Sequence, residues 1–134
     1  INSQFIEINS DIKIKPLFSP QDNIIYSSFN HDSLAVVKEI NPAAITATLD
    51  ADMLKCIEGM VRVGADGVHP GSEGMNVNMD TVERIKEAGI PVRMWNSIEP
   101  LFGQPRRLKE CDLDKYAVMG ADVIMTNVPD RYLQ

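Results

Sequence analysis

The chain has 134 residues, 44% of them hydrophobic and 24% charged, the profile of one soluble globular domain with a real core and no room for a second domain of ordinary size. Thirteen Lys and Arg against 19 Asp and Glu give a net charge of -6, which leaves no basic field for nucleic acid or an anionic membrane surface. The apolar runs fall far short of the roughly 20 residues that span a bilayer, and the two cysteines, Cys56 and Cys111, are too few for a disulfide framework and lie in no paired metal-ligand spacing.

In chain order, residues 1–22 stand apart as an irregular or hairpin start. Ile6 and Ile8 alternate with Phe5, Glu7 and Asn9, and Ile12 and Ile14 alternate with Lys13 and Lys15, with Ser10-Asp11 between the two runs. Asn9 to Asn23, interrupted by Pro16 and Pro20, leaves too little chain for a full crossover helix between parallel strands. A regular succession is therefore expected only from about Asn23. The chain opens on Ile1 without an initiator Met, which suits a processed product or a piece of something longer, with any leader sequence hidden.

Asn23 to Phe29 reads as a strand that stops at small polar residues, and Leu34, Val37 and Ile40 then follow at helical spacing until Asn41-Pro42. The same grammar repeats. Ala44 to Leu49 is a strand, and Met53, Ile57, Met60 and Val61 mark a helix that ends at Gly64. Ala65 to His69 is the next strand. Asp80 to Glu83 reads as a capping-box start, with Asp80 accepting from the Glu83 amide and Val82, Ile85 and Ala88 as the buried stripe. Ile90 to Trp95 is a strand, Leu113 to Met119 a helix capped by Gly120, and Ala121 to Thr126 the last strand. Strand and helix alternate as in a parallel α/β sheet. Gly64-Ala65-Asp66 and Gly120-Ala121-Asp122 suggest one local geometry used twice, and Pro100 to Lys109 is a loop long enough to be functional or mobile.

Parallel α/β folds place their sites where strands end and helices begin. The residues there are Ser27 to His31, Thr48 and Asp50, His69 to Glu73, Trp95 to Ser97, and Thr126-Asn127, a polar set on one edge of the sheet. Alternation along the strand at 92–95 turns Val92 and Met94 to the helices and Arg93 and Trp95 inward. Trp95 at that edge suits substrate packing as well as a place in the core. His69 is either a turn residue before Pro70 or part of the pocket mouth, and His31 reads as a polar residue in a helix-start turn. Arg106, Arg107 and Lys109 either meet a phosphodiester or form a solvated charge run.

Four stretches in order, Tyr26 to Leu34 (Tyr26-Ser27-Ser28-Phe29-Asn30-His31-Asp32-Ser33-Leu34), Gly64 to Pro70, Gly89 to Asn96, and Gly120 to Asp130, resemble the C-terminal part of the glycerophosphodiester phosphodiesterase family. The resemblance implies a partial (β/α)8 barrel, mostly parallel and holding at most strands three to eight of the family. It implies hydrolysis of a small-molecule phosphodiester to glycerol phosphate and an alcohol with a divalent metal, Mg or Ca. Ser28, Phe29, His69, Trp95 and Asn127 would then cluster at one end as substrate-binding residues. The family's acidic metal ligand, with a basic residue two positions on, is matched in part by Glu7 with Asn9, and alternation places Glu7 opposite Ile6 and Ile8. Glu7 is thus a metal ligand or a solvated strand carboxylate. The family's catalytic histidine pair belongs to its first two strands, in His-Arg-Gly and His-Asp motifs that this chain lacks, so neither His31 nor His69 is carried over as acid or base.

Two functions compete on these residues. One is the C-terminal portion of a phosphodiesterase whose first strands lie elsewhere. The other is a degenerate partial barrel that binds a ligand or assembles with itself. Either leaves open strand edges, so a homo-oligomer or a missing N-terminal segment is the expected partner. The compartment, cytoplasmic or exported, is not legible.

Overall fold

A computed structural model describes residues 4–7, by backbone path alone, and residues 24–97 and 113–127. The elements are β1 (Gln4–Glu7), β2 (Ile24–Ser28), α1 (His31–Ile40), β3 (Ile45–Asp50), α2 (Met53–Val63), β4 (Gly67–Pro70), α3 (Met79–Glu87), β5 (Arg93–Trp95), α4 (Leu113–Met119) and β6 (Val123–Met125). Strands β1 to β4 pair in chain order, β5 pairs with β6, and the bridges Val68↔Val92 and Gly71↔Trp95 join the two sets. Every pairing is parallel. Because the order never reverses, the sheet winds in one direction, which is the topology of a (β/α) barrel and not of a doubly wound sheet.

The strands expected from Asn23 onward all form, within a few residues of their predicted starts. The start of the chain departs from expectation. β1 lies parallel to β2 with Gln4 opposite Ile24 and Glu7 opposite Ser27, so the parallel pairing already includes Gln4–Glu7. A parallel return needs about a dozen residues of crossover and not a full helix, and residues 8–23 supply that length. Ile12 and Ile14, the expected second arm of a hairpin, lie outside the described residues, as do Cys111 and the loop with Arg106, Arg107 and Lys109.

Apolar side chains on the outer face of the sheet meet the helices in two clusters. Ile24 and Tyr26 pack with Leu34 and Val37 of α1. Val68, Val92 and Met94 pack with Met53, Cys56 and Met60 of α2, Val82 and Ile85 of α3 and Tyr116 of α4. Ala88, expected on a buried stripe, is exposed, as is the helix-spaced Val61. The start of α3 also differs from expectation. Asn78 is the N-cap, its side chain accepting from Thr81 N at 3.0 Å while Asn78 N donates to Thr81 Oγ1 at 3.3 Å, so Asp80 lies inside the first turn.

The two Gly-Ala-Asp junctions do share one geometry. Gly64 and Gly120 end their helices at φ of +69° and +112°, the left-handed side that glycine reaches without strain. Asp66 Oδ2 accepts from Thr46 N at 2.9 Å and from Lys38 Nζ at 2.7 Å, and Asp66 N donates to Thr46 O. Asp122 repeats the pattern, accepting from Val92 N at 2.8 Å and from Lys86 Nζ while its amide donates to Val92 O. Each aspartate ties its strand to the neighbouring strand and to the helix before that neighbour.

Candidate active site

Turns at the C-terminal strand ends are stitched together by backbone bonds. Gly71 N donates to Asp50 O at 3.1 Å, Ser72 N to Trp95 O at 2.8 Å and Asn96 N to Met125 O at 2.9 Å. Within this rim Phe29, just after β2, meets Trp95, the last residue of β5. The rings are 6.0 Å apart at 78°, an edge-to-face corner, and Phe29 is 53% exposed. Gly71 stands beside Trp95 in the bridge between β4 and β5, and a Cβ there would come within 3.1 Å of Trp95 Cζ2. The absent side chain at Gly71 is what lets the indole lie down. Trp95 Nε1 is buried with no hydrogen-bond partner among the described residues.

His69 is fully buried inside β4, on the face turned away from the helices, and so is no turn residue. Its Nδ1 lies 2.8 Å from Ser27 Oγ on β2, and its Nε2 lies 3.4 Å from Arg93 Nη1 on β5. Arg93 carries only donors, so Nε2 accepts and Nδ1–H donates to Ser27 Oγ. Burial, reinforced by the Arg93 charge, pushes the imidazole pKa down to about 3, which keeps the ring neutral. Burial also lowers the Arg93 guanidinium from its usual value, against the opposing pull of Asp122. Side chains from alternate strands share a layer inside a barrel, which is how β2 and β4 reach each other across β3.

The other expected site residues are placed as follows. Ser28 is buried and its Oγ accepts from Asn30 N at 3.0 Å, bracing the turn into α1. Asn127 is exposed two residues beyond β6. Glu7 ends β1 in register with Ser27. His31 does sit at a helix start, where its Nε2–H donates to Leu49 O at 3.0 Å and its ring lies against Gly59. A cleft of about 390 Å³ beside Phe29 is lined by Asp50, Lys55, Glu58 and Arg62 among others, with Arg62 paired to Asp32.

Among the described residues no three His, Cys, Asp or Glu side chains come together to hold a metal ion, and both nitrogens of His69 are engaged. A hard divalent cation takes about six oxygen ligands, so these residues alone do not fit one. Ser27 and Arg93 were reachable from the sequence only through alternation, since each lies one or two positions from a more conspicuous aromatic residue.

Parallel strands in chain order with outer helices define a partial α/β barrel, and its polar C-terminal rim is where such folds place their sites. The model of the glycerophosphoryl diester phosphodiesterase family matches residues 1–131, and the chain belongs to that family. It is 27% identical over 115 residues to the uncharacterized protein YqiK of Bacillus subtilis and 25% identical over 115 residues to a glycerophosphodiester phosphodiesterase of Bacillus altitudinis. Each match covers 85% of this chain and 43% of the relative, so the chain spans less than half the length of these curated relatives. A solved Galdieria sulphuraria protein superposes with a TM-score of 0.68 at 21% identity, over 96% of this chain and 54% of that one. An Oleispira antarctica phosphodiesterase in complex with its product sn-glycerol-3-phosphate gives 0.65 at 20% identity, over 85% of this chain and 42% of that one. Likeness at that identity establishes the fold. Among the described residues no helix is long and apolar enough to cross a membrane.

Proposed function

We propose that the chain is the C-terminal part of a phosphodiesterase that hydrolyses glycerophosphodiesters to glycerol phosphate and an alcohol. The family match over residues 1–131 carries the reading. The rim supports it chemically. The Phe29–Trp95 corner offers apolar faces to a small organic ligand, and Ser28, His69 and Asn127 belong to the same strand ends. His69 is neutral and bonded on both sides, so it shapes the interior and does not act as a general acid or base. The acid–base histidine pair of the family would come from strands outside these 134 residues, and a divalent metal, Mg or Ca, would draw on Glu7 together with ligands from those strands.

The same reading predicts association. β1 and β6 are the outer strands among the described residues, and unpaired strand edges seek partners, either a second copy or the preceding part of the parent protein. Sedimentation showing a 14.9 kDa monomer at micromolar concentration would contradict this.

Release of glycerol phosphate is the test. The 134-residue chain alone should give almost none, because general acid and base groups typically contribute about 10² to 10⁴ in rate. Its longer parent, supplied with Mg or Ca, should turn over glycerophosphodiesters. A parent protein inactive on every glycerophosphodiester tried, with either metal, would overturn the proposal.

A further inference from the structure

A second cleft, of about 430 Å³, lies at the opposite end of the sheet, where β5 and β6 start. Arg93, the first residue of β5, reaches into it from the face turned away from the helices. Its guanidinium lies over Gly67, the first residue of β4, where a Cβ would come within 3.3 Å of Arg93 Nη1. The missing side chain leaves room for the planar fork. The other two charges of the cleft cancel, since Lys86 Nζ pairs with Asp122 Oδ1 while Asp122 Oδ2 accepts from Val92 N. Arg93 makes no ion pair among the described residues, and its contact with His69 Nε2 is long, at 3.4 Å. A half-buried cation with five donors and one long acceptor contact is stabilised by an anion that matches its fork. One uncompensated charge suits a monoanion, because a phosphate dianion would be desolvated there with half its charge unmatched. Ile90, Pro91 and Val123 supply apolar walls for a short carbon skeleton.

We propose that Arg93 anchors a carboxylate-binding site at the strand starts, holding one carboxylate on its guanidinium while Ile90, Pro91 and Val123 cover the carbon skeleton behind it. The carboxylate belongs to a free short-chain acid or to an acidic side chain of a second copy of the chain. The inference stands apart from the phosphodiesterase reading, whose residues lie at the other end of the strands.

Butyrate, which joins a carboxylate to a short apolar chain, is the probe. Titrated into ¹⁵N-labelled chain at constant ionic strength, it should shift the Arg93 Nε–H and the amides of Gly67, Arg93 and Val123 in the millimolar range, leaving those of Gly71 and Ser72 in place. Inorganic phosphate should bind more weakly. Arg93→Gln keeps an N–H for His69 Nε2 and should weaken butyrate binding about tenfold or more. Arg93→Lys, which keeps the charge and loses the fork, should fall between that variant and the original chain, and Lys38→Gln, outside the cleft at the same end of the sheet, should change nothing. Equal losses from Arg93→Gln and Lys38→Gln would reveal a diffuse positive field and refute the anchor, and phosphate binding as tightly as butyrate would refute the carboxylate assignment. Sedimentation separates the two sources. Self-association weakened by Arg93→Gln assigns the carboxylate to a second copy, and butyrate binding with association unchanged assigns it to a free acid. No butyrate shift at the strand starts, together with association indifferent to Arg93→Gln, would overturn the proposal.

Discussion

Ser27 and His69 lie on strands separated by β3, yet Ser27 Oγ and His69 Nδ1 are 2.8 Å apart inside the curved sheet. Ala47 is Ser27's register partner on the strand between them, and Arg93 holds the far nitrogen of the ring. Removing the hydroxyl takes the Ser27 acceptor away from that buried N–H. Ser27→Ala should therefore cost about 1–3 kcal/mol in urea unfolding, more than the same change at the half-buried Ser33. A loss below about 0.5 kcal/mol would show that water replaces the hydroxyl.

The depressed pKa of His69 predicts the direction of acid destabilisation. The unfolded ring takes up a proton near its ordinary 6.5, while the folded ring stays neutral down to about 3. Between those values the unfolded state binds more protons, so stability is fully present above pH 6.5 and is lost as pH falls, by at most about 1.4 kcal/mol per pH unit. His69→Gln, which keeps a side-chain donor for Ser27, should flatten that part of the curve. Identical pH dependence in the two proteins would mean that His69 titrates normally.

Gly59 lies in the middle of α2, where glycine is a poor helix former, because His31 occupies the space a side chain would need. A Cβ there would fall 1.9 Å from His31 Nδ1. Gly59→Ala should displace the ring and break its bond to Leu49 O, a net loss of about 1–2 kcal/mol. In a His31→Ala background the sign should reverse, since the helix then gains up to about 1 kcal/mol from alanine. Thermal or urea unfolding of the four proteins tests the coupling directly.

Asp66 and Asp122 should respond alike to mutation. Each accepts from a strand amide and from a lysine, and both lysine pairs are partly exposed and so contribute little. Alanine at either position removes the acceptor for Thr46 N or Val92 N and should cost about 1–2 kcal/mol. Asparagine, which keeps an amide oxygen, should cost less than half of that. Equal losses for alanine and asparagine would transfer the weight to the ion pairs.

Much of the fold is legible in the residues because local rules set it. The 3.6-residue spacing of Leu34 with Val37 and of Val82 with Ile85, and the left-handed glycines Gly64 and Gly120, mark helices and their ends wherever the chain lies. Strict alternation places Arg93 and Trp95 opposite Val92 and Met94 without reference to any neighbour. What depends on distant chain is not legible in this way. Whether Gln4 to Glu7 pairs parallel or turns back as a hairpin is decided by β2, the strand beside it. His69 reads equally as a turn or a pocket residue until Ser27 and Arg93, far away in sequence, close on its two nitrogens. The perpendicular contact of Phe29 with Trp95 arises because curvature of the sheet brings non-adjacent strand ends together, and curvature is a property of all the strands at once.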